Sequence, residues 1–85
     1  MTDFPIRGAY YRGQEVLDLI DSFEENTELT LEREPENEYD PFAIKILYED
    51  IHLGYVPKEM AAYLDLDEVG TICYYSSETK QCFLP

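Results

Sequence analysis

The segment ELTLERE, residues 28–34, alternates strictly between apolar and polar positions. Leu29 and Leu31 share one side, and Glu28, Thr30 and Glu32 share the other, which is the pattern of a strand with one buried face. Proline lacks a ladder donor and holds the preceding residue extended, so Pro35 ends the strand, and with Pro41 it brackets a loop over Glu34 to Pro41. FAIKILY then resumes as a strand. Only Glu49 and Asp50 separate it from IHLGYV, so these two runs read as a hairpin with a tight turn. A half-buried strand followed by a loop and a hairpin commits the middle of the chain to antiparallel sheet.

The flanking segments extend that sheet. Phe4 to Tyr11 reads as a first strand with a bulge at Gly8, which would turn Tyr10 and Tyr11 to opposite sides. QEVLDLIDSF follows as a helix with Val16, Leu17, Ile20 and Phe23 inward and Glu15, Asp18 and Asp21 in water. PKEMAAYLDL is a second helix, with Pro57 in its first turn and Met60, Ala61 and Leu64 as its apolar stripe. After Gly70, TICYY and QCFL make a last pair of strands. With so few crossover helices, the expected fold is mainly β with two short helices, an antiparallel small barrel, closed or nearly closed.

With 85 residues the chain is sized for one domain, 1–85, near the lower limit for a single core, which the eight tyrosines and four phenylalanines are expected to help fill. Its net charge of −13 opposes nonspecific binding to duplex DNA. The start of the sequence lacks a signal-peptide layout and no segment approaches a membrane span, so the expected compartment is the cytoplasm. Cys73 and Cys82 would sit opposite each other if the last hairpin turned at Ser77 and Glu78. In a reducing compartment they read as two buried thiols.

Candidate chemistry is sparse. His52 reads as a surface histidine, since no nucleophile or orienting acid is placed beside it. DLDEVG begins like a calcium loop, but Val69 and Ser76 stand where oxygen ligands are required. RGAYYRG lacks phosphate-loop spacing. No metal site, cofactor or hydrolytic centre is indicated, and the chain reads as a non-enzyme. Of the paired tyrosines, one could fill the core while the other stacks on a planar ligand, or both could pack inside. In the loop, Arg33 continues the inward parity of Leu29 and Leu31, so it is expected to clamp Asp40 or a neighbouring acid. Asn37 and Asp40 are turn formers whose side chains commonly bond nearby amides.

REPENEYDPFAIKI, HLGYVPKEMAAYL and the upstream GAYYRGQEVL together resemble the HIRAN domain, over about Ile6 to Leu64. The resemblance implies an OB-like β-barrel of about six strands, a fold found both attached to helicases and as small stand-alone bacterial and phage proteins. It also implies recognition of the 3′ end of single-stranded DNA. By position, Tyr10 and Tyr39 would sandwich the terminal base, Asp40 would accept a hydrogen bond from the 3′-hydroxyl, and Asn37 would read polar edges near that base. Tyr11, Tyr55 and Lys58 would lie along the phosphate track, with Phe83 or Tyr74 supporting a second base.

The sequence departs from that pattern at Ala9, where an arginine can precede the aromatic pair, and at Glu36 and Glu38 in the loop. Few cations remain to neutralise phosphates, so DNA affinity is expected to be weak and salt-sensitive. The competing reading is an acidic interaction protein, with DNA binding lost, that occupies and inhibits a basic nucleic-acid-processing protein. Alternate acids on a strand lie ~6.6–6.8 Å apart, twice the ~3.4 Å charge spacing along a DNA strand, so Asp18, Asp21, Glu24 and Glu25 would have to join the mimic.

Overall fold

The computed structural model describes residues 3–85. Six strands form one antiparallel sheet: β1 (Asp3–Phe4), β2 (Thr27–Arg33), β3 (Ile44–Tyr48), β4 (Ile51–Tyr55), β5 (Ile72–Ser76) and β6 (Gln81–Phe83). Their order is β1-β6-β5-β2-β3-β4, so the strand with the cleanest alternation lies inside the sheet. Leu29 and Leu31 are fully buried, while Glu28 and Glu32 face solvent. The sheet curls into a half-barrel, consistent with the small OB-like barrel expected. Its edges meet at one point, where Arg7 and Tyr55 exchange backbone hydrogen bonds of 2.8 Å in both directions.

Gly54 permits that meeting. Between Leu47 and Ile46 the β3–β4 register shifts from His52 to Gly54, leaving Leu53 as the extra residue of a bulge. A Cβ on Gly54 would stand 2.5 Å from the Arg7 carbonyl oxygen and 2.7 Å from Ile6 Cγ2. Only a residue without a side chain lets the backbone approach so closely.

The first strand is much shorter than the expected Phe4 to Tyr11. Pro5 interrupts its ladder, and Gly8 adopts a left-handed conformation at φ 78°, from which Ala9–Arg12 winds into a 3-10 turn. Tyr10 and Tyr11 are therefore not on opposite faces of a strand, and neither fills the core. α1 (Gln14–Asp21) lays Val16, Leu19 and Ile20 against the core, with Leu19 in the stripe where Leu17 was expected. Phe23, just beyond that helix, is buried against the rings of Tyr48 and Tyr75 at 5.0 and 5.5 Å.

The second helix is shorter than expected, α2 (Lys58–Ala61), with Pro57 at its N-cap. A further short helix, α3 (Leu66–Val69), occupies the stretch that begins like a calcium loop, and Asp65 caps it by accepting from the Asp67 amide at 3.0 Å. The expected cysteine register is also corrected. The turn between β5 and β6 occupies residues 77–80 and closes with Lys80 N–H donating to Ser76 O, so Cys82 faces Tyr75 and Cys73 faces Leu29. The two free thiols are buried diagonal neighbours, and contact with Cys73, together with burial, pushes the Cys82 thiol up. Among the described residues, no helix is long and apolar enough to cross a membrane.

The tyrosines fill less of the core than their number suggests. Tyr10, Tyr11, Tyr39 and Tyr63 are 74–90% exposed, and the largest fully buried side chains other than Phe4 are aliphatic or cysteine. A chain that leaves large aromatic rings in water forgoes their burial energy.

Candidate nucleic-acid interface

The loop between β2 and β3 is a built structure. Glu34 N–H donates to Ala43 O at 2.9 Å and closes its base. Inside it, Asn37 Oδ1 accepts from the amides of Tyr39 and Asp40 at 2.8 and 2.9 Å. Asp40 Oδ1 in turn accepts from the Phe42 amide at 2.9 Å. These are the side-chain-to-backbone bonds expected of turn-forming Asn and Asp, and they satisfy amides that a proline-bracketed loop cannot place in a ladder. The folded loop leaves Tyr39 90% exposed at its tip.

Arg33 holds the loop from beneath, though not through a carboxylate. Its guanidinium donates to the carbonyl oxygens of Phe42 at 2.7 Å and Ala61 at 3.0 Å, and also to that of Leu64. The carbonyls at a helix end have no partner within the helix, and a planar fork of donors can serve several at once. The expected clamp on Asp40 is thus replaced by a tie between the loop and the end of α2.

Glu34 stands on the opposite side of the same loop. Its Oε1 accepts from Asn37 Nδ2 at 2.8 Å and from the Tyr55 hydroxyl at 2.8 Å, while Oε2 lies 4.0 Å from Lys45 Nζ. The bond from Asn37, then that from Tyr55, holds the Glu34 carboxyl below its ordinary value, and burial followed by the Glu34 bond pushes the Tyr55 phenol up. His52 is half-buried rather than a free surface histidine. Its ring packs edge-on to Tyr55 at 4.8 Å, Nε2 lies 3.1 Å from Gly54 O, and burial followed by the Arg12 charge lowers its pKa.

Beside the loop opens a cleft of about 660 Å³. Asn37, Tyr39 and Asp40 line it from the loop, Tyr55 and Lys58 from β4 and α2, and Arg7 from the segment that bridges to β4. Buried Ala43 and Val56 supply apolar lining, and Glu59 completes it. Five of the seven residues singled out from sequence therefore meet at one cleft: Asn37, Tyr39, Asp40, Tyr55 and Lys58. Tyr10 and Tyr11 do not line it. They stand exposed on the 3-10 turn that follows Arg7, their rings 5.7 Å apart. Tyr74 and Phe83 also lie elsewhere, facing each other across β5 and β6 with rings 5.8 Å apart.

Glu34, Glu59 and Arg7 were not singled out from the sequence as neighbours of this site. Glu34 could have been suspected from its place between the inward Arg33 and Pro35. Glu59 carried no signal.

Comparison with known proteins bears on the same region. A family model described as the HIRAN domain matches residues 1–65, which include every residue lining the cleft. No curated protein and no solved structure matches the chain.

Proposed function

The chain belongs to the HIRAN domain family, a family of DNA-binding modules, and we propose that it is a non-enzymatic module that receives the 3′ end of single-stranded DNA in the cleft beside the Tyr39 loop. The observation that carries this reading is the pairing of an almost wholly exposed Tyr39 with a cleft into which Asp40, Lys58 and Arg7 all reach. Tyr39 offers a stacking face for the terminal base, and Tyr10 offers a second ring from the 3-10 turn. Asp40 already uses Oδ1 on the Phe42 amide, so Oδ2 is the oxygen that accepts from a terminal 3′-hydroxyl. A phosphate at that position would be repelled by the same carboxylate.

Lys58 and Arg7 meet phosphate oxygens, with Tyr11 and Tyr55 alongside. Asn37 is committed to holding the loop through Oδ1 and to Glu34 through Nδ2, so its part is to fix Tyr39 and Asp40, and its remaining N–H can still meet a base edge. Charge at the cleft favours this reading over that of an acidic inhibitor. Two of the chain's six basic residues line it against two of its nineteen acids, so the cleft is far less negative than the molecule.

Fluorescence anisotropy at low salt, with a short labelled oligonucleotide ending in either a 3′-hydroxyl or a 3′-phosphate, tests the proposal. Tighter binding of the hydroxyl form supports it. Equal or absent binding removes it.

A further inference from the structure

Three side chains connect the two sides of the cleft. Tyr55, at the end of β4, donates its hydroxyl to Glu34 Oε1, and the same oxygen accepts Asn37 Nδ2–H, both at 2.8 Å. Asn37 Oδ1 then receives the amides of Tyr39 and Asp40. The path runs from β4 through one carboxylate oxygen to the backbone of the two residues assigned to the terminal nucleotide.

We propose that Glu34 is the positioning residue of this cleft, a charged latch that sets the Tyr39–Asp40 backbone relative to β4 before any ligand arrives; its effect on binding rests on the DNA-end reading, while its effect on the loop does not. A carboxylate suits the task. Acceptor bonds to an ionised oxygen are shorter and stronger than neutral ones, and one oxygen can take both donors. Lys45 helps hold the carboxylate from its other side, bonded to Glu32 at 3.1 Å and facing Glu34 at 4.0 Å. Glu34 is half-buried and forms no part of the apolar core, so its side chain can be changed with the core intact. A loop already held in its binding geometry avoids the ordering cost that a mobile loop meets on binding.

The variants Glu34→Ala, Glu34→Gln and Tyr55→Phe test the latch with two readouts. The first is the set of backbone amide NMR resonances of Tyr39 and Asp40 in the free protein, with Leu31 and Ile46 as core controls. The second is affinity for an oligonucleotide with a 3′-hydroxyl. Glu34→Ala is expected to shift or broaden the two loop amides, leave the controls unchanged, and weaken binding by roughly tenfold, the loss of a charge-assisted bond. Glu34→Gln keeps an acceptor oxygen without the charge and should restore both only in part. Tyr55→Phe removes one hydroxyl and should produce a smaller change of the same kind. Loop amides unmoved in Glu34→Ala and Tyr55→Phe would overturn the latch. Loop amides that move in a protein whose wild type binds no oligonucleotide would sustain the latch and remove the DNA-end reading instead.

Discussion

Gly54 and Arg7 are in backbone contact so close that a single added methyl group on Gly54 would overlap the Arg7 carbonyl oxygen, at 2.5 Å. This approach allows the neighbouring pair, Arg7 and Tyr55, to bridge the two edges of the curled sheet. It also brings Arg7 and the 3-10 turn beside the cleft. Gly54→Ala should therefore cost about 1–3 kcal/mol of stability, the range for inserting atoms where there is no room. Urea denaturation measures it, and an unchanged midpoint would show that the edges can separate freely.

Arg33 supports the loop through main-chain carbonyls of Phe42, Ala61 and Leu64. Arg33→Met keeps much of the aliphatic stem but supplies no donor, so it should destabilise by about 1–3 kcal/mol, the cost of leaving sheltered acceptors unpaired. Arg33→Lys should recover only part of this, because a point charge cannot reproduce the fork. Thermal unfolding of the two variants provides the comparison.

Tyr39 contributes almost nothing to the core, being 90% exposed. Tyr39→Ala should leave stability within about 0.5 kcal/mol of the wild type, yet weaken oligonucleotide binding by about 1–3 kcal/mol. Tyr63→Ala, also exposed but outside the cleft lining, should change neither. With only two or three phosphates neutralised, binding should weaken about tenfold between about 50 and about 200 mM salt.

The pH dependence follows from Glu34, whose folded pKa lies below its usual 4.5 because of bonds from Asn37 and Tyr55. A depressed carboxyl stabilises the fold above its unfolded value, and that contribution is lost as pH falls through the folded one. The loop amides of Tyr39 and Asp40 should therefore hold their positions down to the usual glutamate value and move as pH falls below it. In Glu34→Gln the part of that movement carried by Glu34 should disappear.

The regular parts of this fold were legible because short-range rules dictate them. Alternation around Leu29 and Leu31, the prolines that bracket the loop, and the two-residue turn at Glu49 and Asp50 all act within a few positions. The bonds of Asn37 and Asp40 to following amides are local in the same way. What escaped was set by distant partners or by a single backbone angle. Gly8 in the left-handed region turns the aromatic pair out of the sheet, and Arg33 finds carbonyls 28 and 31 residues away. The two extra residues in the last turn moved Cys82 from Cys73 to Tyr75. Glu34 was hidden for the same reason, since Tyr55 reaches it only after the sheet has formed.

The buried cysteines offer a check on the packing. Cys73 and Cys82 are free and fully buried, and the Cys82 thiol is pushed up by its neighbour and by burial. Neither should react with a thiol reagent in the native protein, and both should react on unfolding. Rapid native labelling would contradict the sheet register.

The central claim is that the cleft between the Tyr39 loop and α2 receives a DNA 3′ end. A titration of isotopically labelled protein with a short 3′-hydroxyl oligonucleotide, followed by amide NMR at low salt, tests it directly. The largest shifts are expected at Tyr39, Asp40, Val56 and Lys58, much reduced when the oligonucleotide carries a 3′-phosphate. Shifts that ignore the terminal group, or that avoid these residues, would contradict it.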